Sequence, residues 1–434
     1  MTEPLTPPPE ELAAAVVAEP APHDAFAALR YAEFRNLTFG IFLFTVAILA
    51  QEVVLGYQLY TLTHDPLVLG FTGLAEAVPF IALALFGGHL ADRGDRRRII
   101  LLAVAFVALA SAVLLWVTLP STRARISQNT VLVTIYGVIA ALGLARGFFS
   151  PAASSLTAFI VPREIYANAA AWRSSGWQGG SIVGPVCAGF LYAVLGLTGT
   201  LAVVIALILG GLLLFTTLKP RPPQPRQDGA AEVDLWQSLR QGIDFVFKTP
   251  IILYSISLDL FSVLFGGMVA ILPIFATDIL QVGPQGLGVM RAAPAVGAML
   301  TLLACTRYPP TRQAWRNLLI AVTGFGVMTL LFALSKLFWL SLVALFLTGA
   351  FDSISVVIRG TILQIMPPDH LRGRVVSVNS IFLAASNELG AFESGLAARL
   401  MGTVPSVIFG GSLTLLTVLY VWRRSKALFA VKLA

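Results

Sequence analysis

The sequence predicts an all-α membrane protein, with twelve transmembrane helices in two pseudo-symmetric six-helix bundles. Three observations predict it. The chain of 434 residues is 57% hydrophobic and only 12% charged, with a mean hydropathy of +0.83. A soluble globular chain carries about 25% charged residues, so this composition excludes an ordinary soluble domain. Apolar runs of roughly 20 residues, the length that crosses a bilayer as a helix, recur between short polar breaks. The two halves also resemble each other. At an offset of about 206 residues Pro162 matches Pro368, Gly184 matches Gly390 and Gly189 matches Gly395, a parallel repeat of the kind that builds several membrane folds.

In chain order, residues 1–29 are rich in Ala, Pro and Glu and contain no Lys or Arg. That is not the basic-then-apolar pattern of a signal peptide, and it reads as a disordered tail. The N-terminal bundle is expected over 30–218, with spans at 36–60, 67–90, 99–119, 130–150, 166–195 and 198–218. A linker occupies 219–249. Its first part is Pro-rich and polar. Leu235, Leu239, Ile243 and Val246 then recur at helical spacing beside Trp236, which predicts an amphipathic helix lying on the membrane face or against the bundle. The C-terminal bundle is expected over 250–424, with spans at 251–280, 286–305, 318–335, 338–365, 375–400 and 404–422, and a tail over 425–434. Several spans exceed the minimum length and can tilt or kink, with Pro185 and Pro273 as the candidate kinks.

The basic residues give the orientation. Arg93, Arg96, Arg97 and Arg98 follow the second span; Lys219, Arg221, Arg226, Arg240 and Lys248 lie in the central loop; Arg307, Arg312 and Arg316 follow the eighth; Arg372 and Arg374 precede the eleventh. The positive-inside rule places these loops and both termini in the cytoplasm, with Arg123 and Arg125 as the exception outside. The formal net charge of +7 therefore reports topology, and no nucleic-acid partner is expected.

Charges also sit inside the spans: Glu52, Glu76, Arg146, Asp259, Arg291, Asp352, Arg359, Glu388 and Glu393. Each costs about 2.5–3.5 kcal/mol at mid-bilayer, so they are expected to face protein or water. Spans three, six, nine and twelve have no charge in their cores and read as lipid-facing scaffold. Arg146, Asp259, Asp352 and Arg359 are the cavity candidates. Asp352 and Arg359 are seven residues apart, two turns along one face. Arg146 matches Asp352 at the repeat offset, so these two are expected either to meet across a cavity or to pair each within its own half. A carboxylate withdrawn from water favours its protonated form and can load and release a proton as its access alternates. Glu52, Asp259, Glu388 and Glu393 are the candidates for that role, against the alternative of structural carboxylates held by neighbours. Glu388 lies nearer mid-depth, and Glu393 is about 140° round the helix from it.

Nothing points to an enzyme or a cofactor. Cys187 and Cys305 fall in apolar spans, so no disulfide framework is indicated. His23, His64, His89 and His370 have no metal-ligand spacing. There is no phosphate-binding loop to support ATP-driven work.

The run 88–97, at Gly88, Asp92, Arg93, Arg96 and Arg97, resembles the loop between spans two and three of the major facilitator superfamily; it departs where Asp95 replaces the usual glycine. The resemblance implies gating. The aspartate matching Asp92 engages the N-terminal end of the eleventh helix, where partial positive charge favours an anion. The second-half loop 307–316 has no aspartate, so no symmetric latch is implied. The run 180–189, with Gly180, Gly184, Pro185 and Gly189, resembles the span-five motif of exporters and antiporters in that superfamily. Its small residues let helices approach closely. The blocks 34–37, 258–261, 289–294, 368–375 and 386–395 are similar to the enterobactin-exporter-like branch.

The resemblance covers about 34–422. It implies a secondary transporter of the bacterial inner membrane whose halves rock about a central site touched by spans one, four, seven and ten. It implies proton-coupled export of a siderophore-like or amphipathic compound. The expected partners are the bilayer, the small-molecule substrate and protons, and a monomer is expected. Arginines in the cavity suit a carboxylate or phenolate, whereas a cationic drug would use Glu52 or Asp259 with Phe261 and Phe265. Multidrug efflux, import of an iron complex or nutrient, and a non-transporting sensor or scaffold on the same fold remain open.

Overall fold

The computed structural model describes residues 24–221 and 235–430, apart from the side chains of 84–93, 235–239, 369–370, 384 and 430. The N-terminal bundle opens with α1 (Ala32–Thr63), α2 (Pro66–Arg93), α3 (Arg96–Thr118) and α4 (Gln128–Ile160). A continuous helix follows over Tyr166–Thr216, and its 51 residues would reach about 77 Å if straight, against about 30 Å of hydrocarbon. It is broken at Gly196, whose φ of 65° and ψ of −172° suit only a residue without a Cβ. The arms α5 (166–195) and α6 (197–216) fold back side by side, because Gly180 lies against Thr45 and Gly211 against Gly40, close together on α1. Among the described residues, eleven helices that are long and apolar enough to cross a membrane therefore make the twelve predicted passes.

The C-terminal bundle comprises α7 (Pro250–Phe265), α8 (Gly283–Arg307), α9 (Ala314–Leu334), α10 (Phe338–Ile365), α11 (Asp369–Met401) and α12 (Thr403–Arg424). The seventh pass is interrupted. After Phe265 the chain leaves helical geometry at Gly266 and Gly267, then continues as a 3-10 turn over Met268–Ile271 and a π turn over Phe275–Ile279. The predicted kink at Pro273 is thus a break beginning several residues earlier. Pro185 is absorbed within α5 without a non-helical residue. α4 runs on to Ile160, past the predicted end at 150, because hydropathy marks the hydrocarbon boundary while backbone hydrogen bonding continues beyond it.

Glycine contacts display the repeat. A Cβ added at Gly184 would lie 2.7 Å from the Val46 carbonyl of α1, and one at Gly390 would lie 2.7 Å from the Val263 carbonyl of α7. Gly143 of α4 abuts the Glu76 carbonyl of α2, and its counterpart Gly349 of α10 abuts the Pro294 carbonyl of α8. Gly189 of α5 meets Gly288 of α8, while Gly395 of α11 meets Gly70 of α2. The last two are the seams between bundles. Each seam is lined by residues small enough for backbones to touch.

The charge-free helices turn apolar side chains outward, including Leu102, Phe106 and Leu109 of α3, Leu213 of α6, Ile320 and Val327 of α9, and Leu416 and Leu419 of α12. The linker helix Leu235–Lys248 packs against the start of α11. Gly242 lies on the Arg374 carbonyl, and Val246 is buried with Ile251 and Val378. Two segments assigned to tails also pack. Ala28 is buried, its N–H donates to Asn168 Oδ1 at 3.0 Å, and Trp172 Nε1 donates to the Ala25 carbonyl. At the other end, Trp315 Nε1 donates to Ser425 Oγ at 2.9 Å, ahead of the short turn Lys426–Ala430. Both tail boundaries therefore move outward, since aromatic indoles on the bundle capture these segments. Residues 1–23 and 431–434 of the tails lie outside the described residues.

Candidate substrate and gating site

The interior charges gather in two places. The first is at mid-depth between the bundles. Arg146 of α4 donates to Glu76 Oε1 of α2 at 2.7 Å and lies 3.6 Å from Glu388 Oε1 of α11. Arg291 of α8 pairs with Glu52 of α1 and donates to the Val269 carbonyl at 2.9 Å. That carbonyl belongs to the 3-10 turn after the α7 break. Three carboxylates thus share two guanidiniums, and two of the ties cross between bundles. Arg146 is 48% exposed although it sits in the middle of a span, so it faces a water-sized cavity.

Two chambers flank this cluster. The deep one, about 370 Å³, is lined from both bundles and includes Gly266, Gly267, Phe325, Asp352 and Asn387. The other, about 590 Å³, is lined by α1, α2, α4 and α5 with Phe44, Phe149, Arg173 and Trp177. Glu52 and Glu76 belong to the walls of both chambers, so the cluster is the partition between them.

The second gathering lies within the C-terminal bundle. Arg359 pairs with Asp259 at 2.5 Å, with side chains only 6% and 7% exposed, and its Nε donates to Ser355 at 3.1 Å. Asp352 borders this pair and also lines the deep chamber. Among the described residues it forms no ion pair. Arg146 and Asp352 do not meet. Arg146 is drawn to the two glutamates, and Arg359, two turns along, is taken by Asp259. Arg359 and Asp259 therefore stand behind the chamber wall rather than in it. Glu393 lies on another face of α11, half-buried beside Ser394, and joins neither cluster. Glu76 and Arg291 were expected only to face protein or water, outside the cavity and proton-coupling candidates, yet both are central. The signal was present, since each is a charge in mid-span, but the repeat offset directed attention to Arg146 and Asp352.

The gating motifs divide by helix. The side chains of Asp92 and Arg93, with Gly88, lie outside the described residues. Asp95, the departure from the family pattern, caps α3 by accepting from the N–H groups of Arg97 and Arg98 at 3.0 and 3.4 Å. Arg96 is buried, donates to Ser155 Oγ at 2.7 Å and stacks over Phe159; Arg97 donates to the Thr216 carbonyl at 2.7 Å. These arginines tie α3 to α4 and α6. In the span-five motif, Gly180 and Gly184 face α1 in their own bundle, while Pro185 and Gly189 face Gly288 across the seam. Further links between bundles are Tyr60–Asp278, Arg399–Asp65 at 3.0 Å and Gln178 Nε2 to the Ala295 carbonyl at 2.8 Å. Tyr60, Asp65, Asp278 and Arg399 lie at the bundle end that carries the 63–66, 279–283 and 401–403 turns.

The architecture is shared with solved transporters at low identity. The nucleoside transporter NupG superposes with a TM-score of 0.71 at 14% identity, covering 91% of this chain and 100% of that one. A bacterial homologue of the human lysosomal transporter Spinster, inward-facing and occupied, gives 0.67 at 17%, covering 92% and 97%. Inward-open XylE from E. coli gives 0.63 at 15%, covering 92% and 96%. In sequence, the chain is 27% identical over 391 residues to the enterobactin exporter EntS of Shigella boydii serotype 4 (strain Sb227), covering 87% of this chain and 88% of that one. EntS of Escherichia coli O139:H28 matches equally. The family model described as Major Facilitator Superfamily matches residues 36–391. With two six-helix bundles enclosing a charged central site and a family match over most of its length, the chain belongs to the major facilitator superfamily and is a membrane transporter.

Proposed function

We propose that this transporter is a proton-coupled exporter of an amphipathic, siderophore-like small molecule from the bacterial cytoplasm, with both termini cytoplasmic. The observation that carries the reading is the five-membered partition of Glu52, Glu76, Arg146, Arg291 and Glu388, which ties the bundles together between two chambers. It holds one carboxylate more than it has guanidiniums. A proton on Glu388 cancels its attraction for Arg146, leaves Arg146 to Glu76 and removes one tie between bundles. Arg146 is half-exposed, so such a tie amounts to about 1 kcal/mol or less, a bias on the few kcal/mol that separate two conformations. A substrate entering from the 590 Å³ chamber meets Arg146 and Arg173, which suit carboxylate or phenolate groups. Export, rather than import, is supported by the span-five motif and by the relatives named enterobactin exporters.

One observation favours a second reading. The deep chamber is lined by Glu52, Glu76, Asp352 and Glu388 against Arg291 alone, which suits a cationic drug. Purified protein in proteoliposomes with an imposed pH gradient tests both, with enterobactin and tetraphenylphosphonium as the probes. Gradient-driven flux of enterobactin that is lost in Glu388→Gln and slowed in Asp92→Asn supports the first reading. Flux of the cation alone transfers the assignment to the second, and gradient-driven flux of neither rejects proton-coupled export.

A further inference from the structure

On the outer surface of the C-terminal bundle, α9 and α12 leave a groove of about 450 Å³, remote from both chambers. Its walls are Leu319 and Ile320 of α9 with Leu415 and Leu419 of α12, and Trp422 stands at its mouth. The bond from Trp315 to Ser425 places the start of α9 beside the end of α12, so the basic residues of both helices collect at that mouth. Arg316 lines it directly. Arg423, one turn after Leu419, continues the groove face of α12, and Lys426 opens the short turn that follows α12, whose Phe429 also lines the groove. All three are exposed. Among the described residues none is in an ion pair, and Arg316 contacts only the neutral Gln313 at 3.1 Å. No Asp or Glu occurs between Asp278 and Asp352 or after Glu393, so neither of the two helices, nor the turn after α12, supplies a counter-charge of its own.

We propose that this groove is a binding site for one anionic phospholipid. An acyl chain lies along α9 and α12, and the phosphate sits on Arg316, Arg423 and Lys426. The lining runs about 10 Å along each helix, from Arg316 to Thr323 on α9 and from Leu415 to Trp422 on α12, roughly a third of the hydrocarbon thickness, which confines the chain to the leaflet beside the basic mouth. Trp422 lies where the headgroups begin, the depth that indole rings favour. The unpaired cations select the headgroup, since each basic side chain near an anionic surface contributes about a fivefold gain in affinity. The excess of cation at the mouth is what distinguishes this occupant from a zwitterionic lipid.

The test uses the full chain, purified in detergent and stripped of lipid, with native mass spectrometry counting retained phosphatidylglycerol or phosphatidylcholine of identical acyl chains. The wild type is expected to hold one phosphatidylglycerol at least tenfold more tightly than phosphatidylcholine. R316Q/R423Q/K426Q removes that preference. Leu419→Trp, which fills the groove from an exposed position, loses both lipids while thermal unfolding stays unchanged. Equal retention of the two lipids by the wild type, or phosphatidylglycerol bound as well by both variants, overturns the site. Truncation after Ala430 distinguishes two further occupants. Unchanged binding supports the lipid. A gain in binding assigns the groove to residues 431–434, and lipid found only on a two-chain species assigns it to a second copy.

Discussion

The two interior charge clusters use the same residue types for different ends. Asp259 and Arg359 are almost closed off from solvent, and both belong to one bundle. Glu52, Glu76, Arg146, Arg291 and Glu388 border the chambers and cross between bundles twice. A pair inside one rigid body has no reason to break when the bundles rock, and its worth is in what its loss exposes. On the function proposed above, pairs between bodies break and re-form in each cycle. Access to water keeps that inexpensive, because a solvated ion pair contributes about 1 kcal/mol or less.

The sharpest way to break this comparison is Arg359→Met. It leaves Asp259 buried without its partner and is expected to cost about 3–5 kcal/mol of stability, seen as a large fall in thermal unfolding temperature. Asp259→Asn combined with Arg359→Met should restore most of the loss. An unfolding temperature equal to wild type in the single variant would show that the pair is not structural. Arg146→Gln is the converse. Transport should fall tenfold or more while stability changes by about 1 kcal/mol or less, and unfolding and flux measured on one preparation decide between the two outcomes. A destabilisation as large as that of Arg359→Met would erase the distinction between the clusters.

A smaller effect sharpens the account of the seams. Gly189→Val pushes a side chain into the backbone of α8 across the seam, whereas Gly184→Val presses on α1 within one bundle. The first should widen spin-label distances between the bundles at the 63–66 end, and the second should lower stability without that shift. The same widening in both variants would deny Gly189 a role specific to the seam. Asp65→Asn, which loosens the half-exposed rim pair with Arg399, is the smallest change, about 1 kcal/mol or less in unfolding.

Much of the architecture was legible before any coordinates. The twelve passes, the charge-free outer helices and the glycine repeat followed from hydropathy and spacing. Pro273 marked a kink in the seventh pass, but its start at Gly266 and Gly267 was not legible, because they lie among apolar neighbours that read as one span and only the carbonyl held by Arg291 gives the unwinding a purpose. Nor was the choice of partners. Arg146 was matched to Asp352 through sequence symmetry. The repeat relates the backbones of α4 and α10, however, and does not bring those two side chains together. At the offset that relates α2 to α8, Glu76 is replaced by Pro294, so the N-terminal bundle supplies Arg146 with an acid for which the C-terminal bundle has no equivalent.

What the sequence determined alone is where the chain enters and leaves the membrane, and which helices carry charge. The bilayer imposes its penalty residue by residue along one dimension, so the record of it is local. Which acid meets which guanidinium was decided by the tertiary structure. Glu52 and Arg291, or Arg146 and Glu388, are far apart in the chain. They become neighbours only through the depth and rotation at which two separately built bundles close on each other, and glycine-lined seams set that closure.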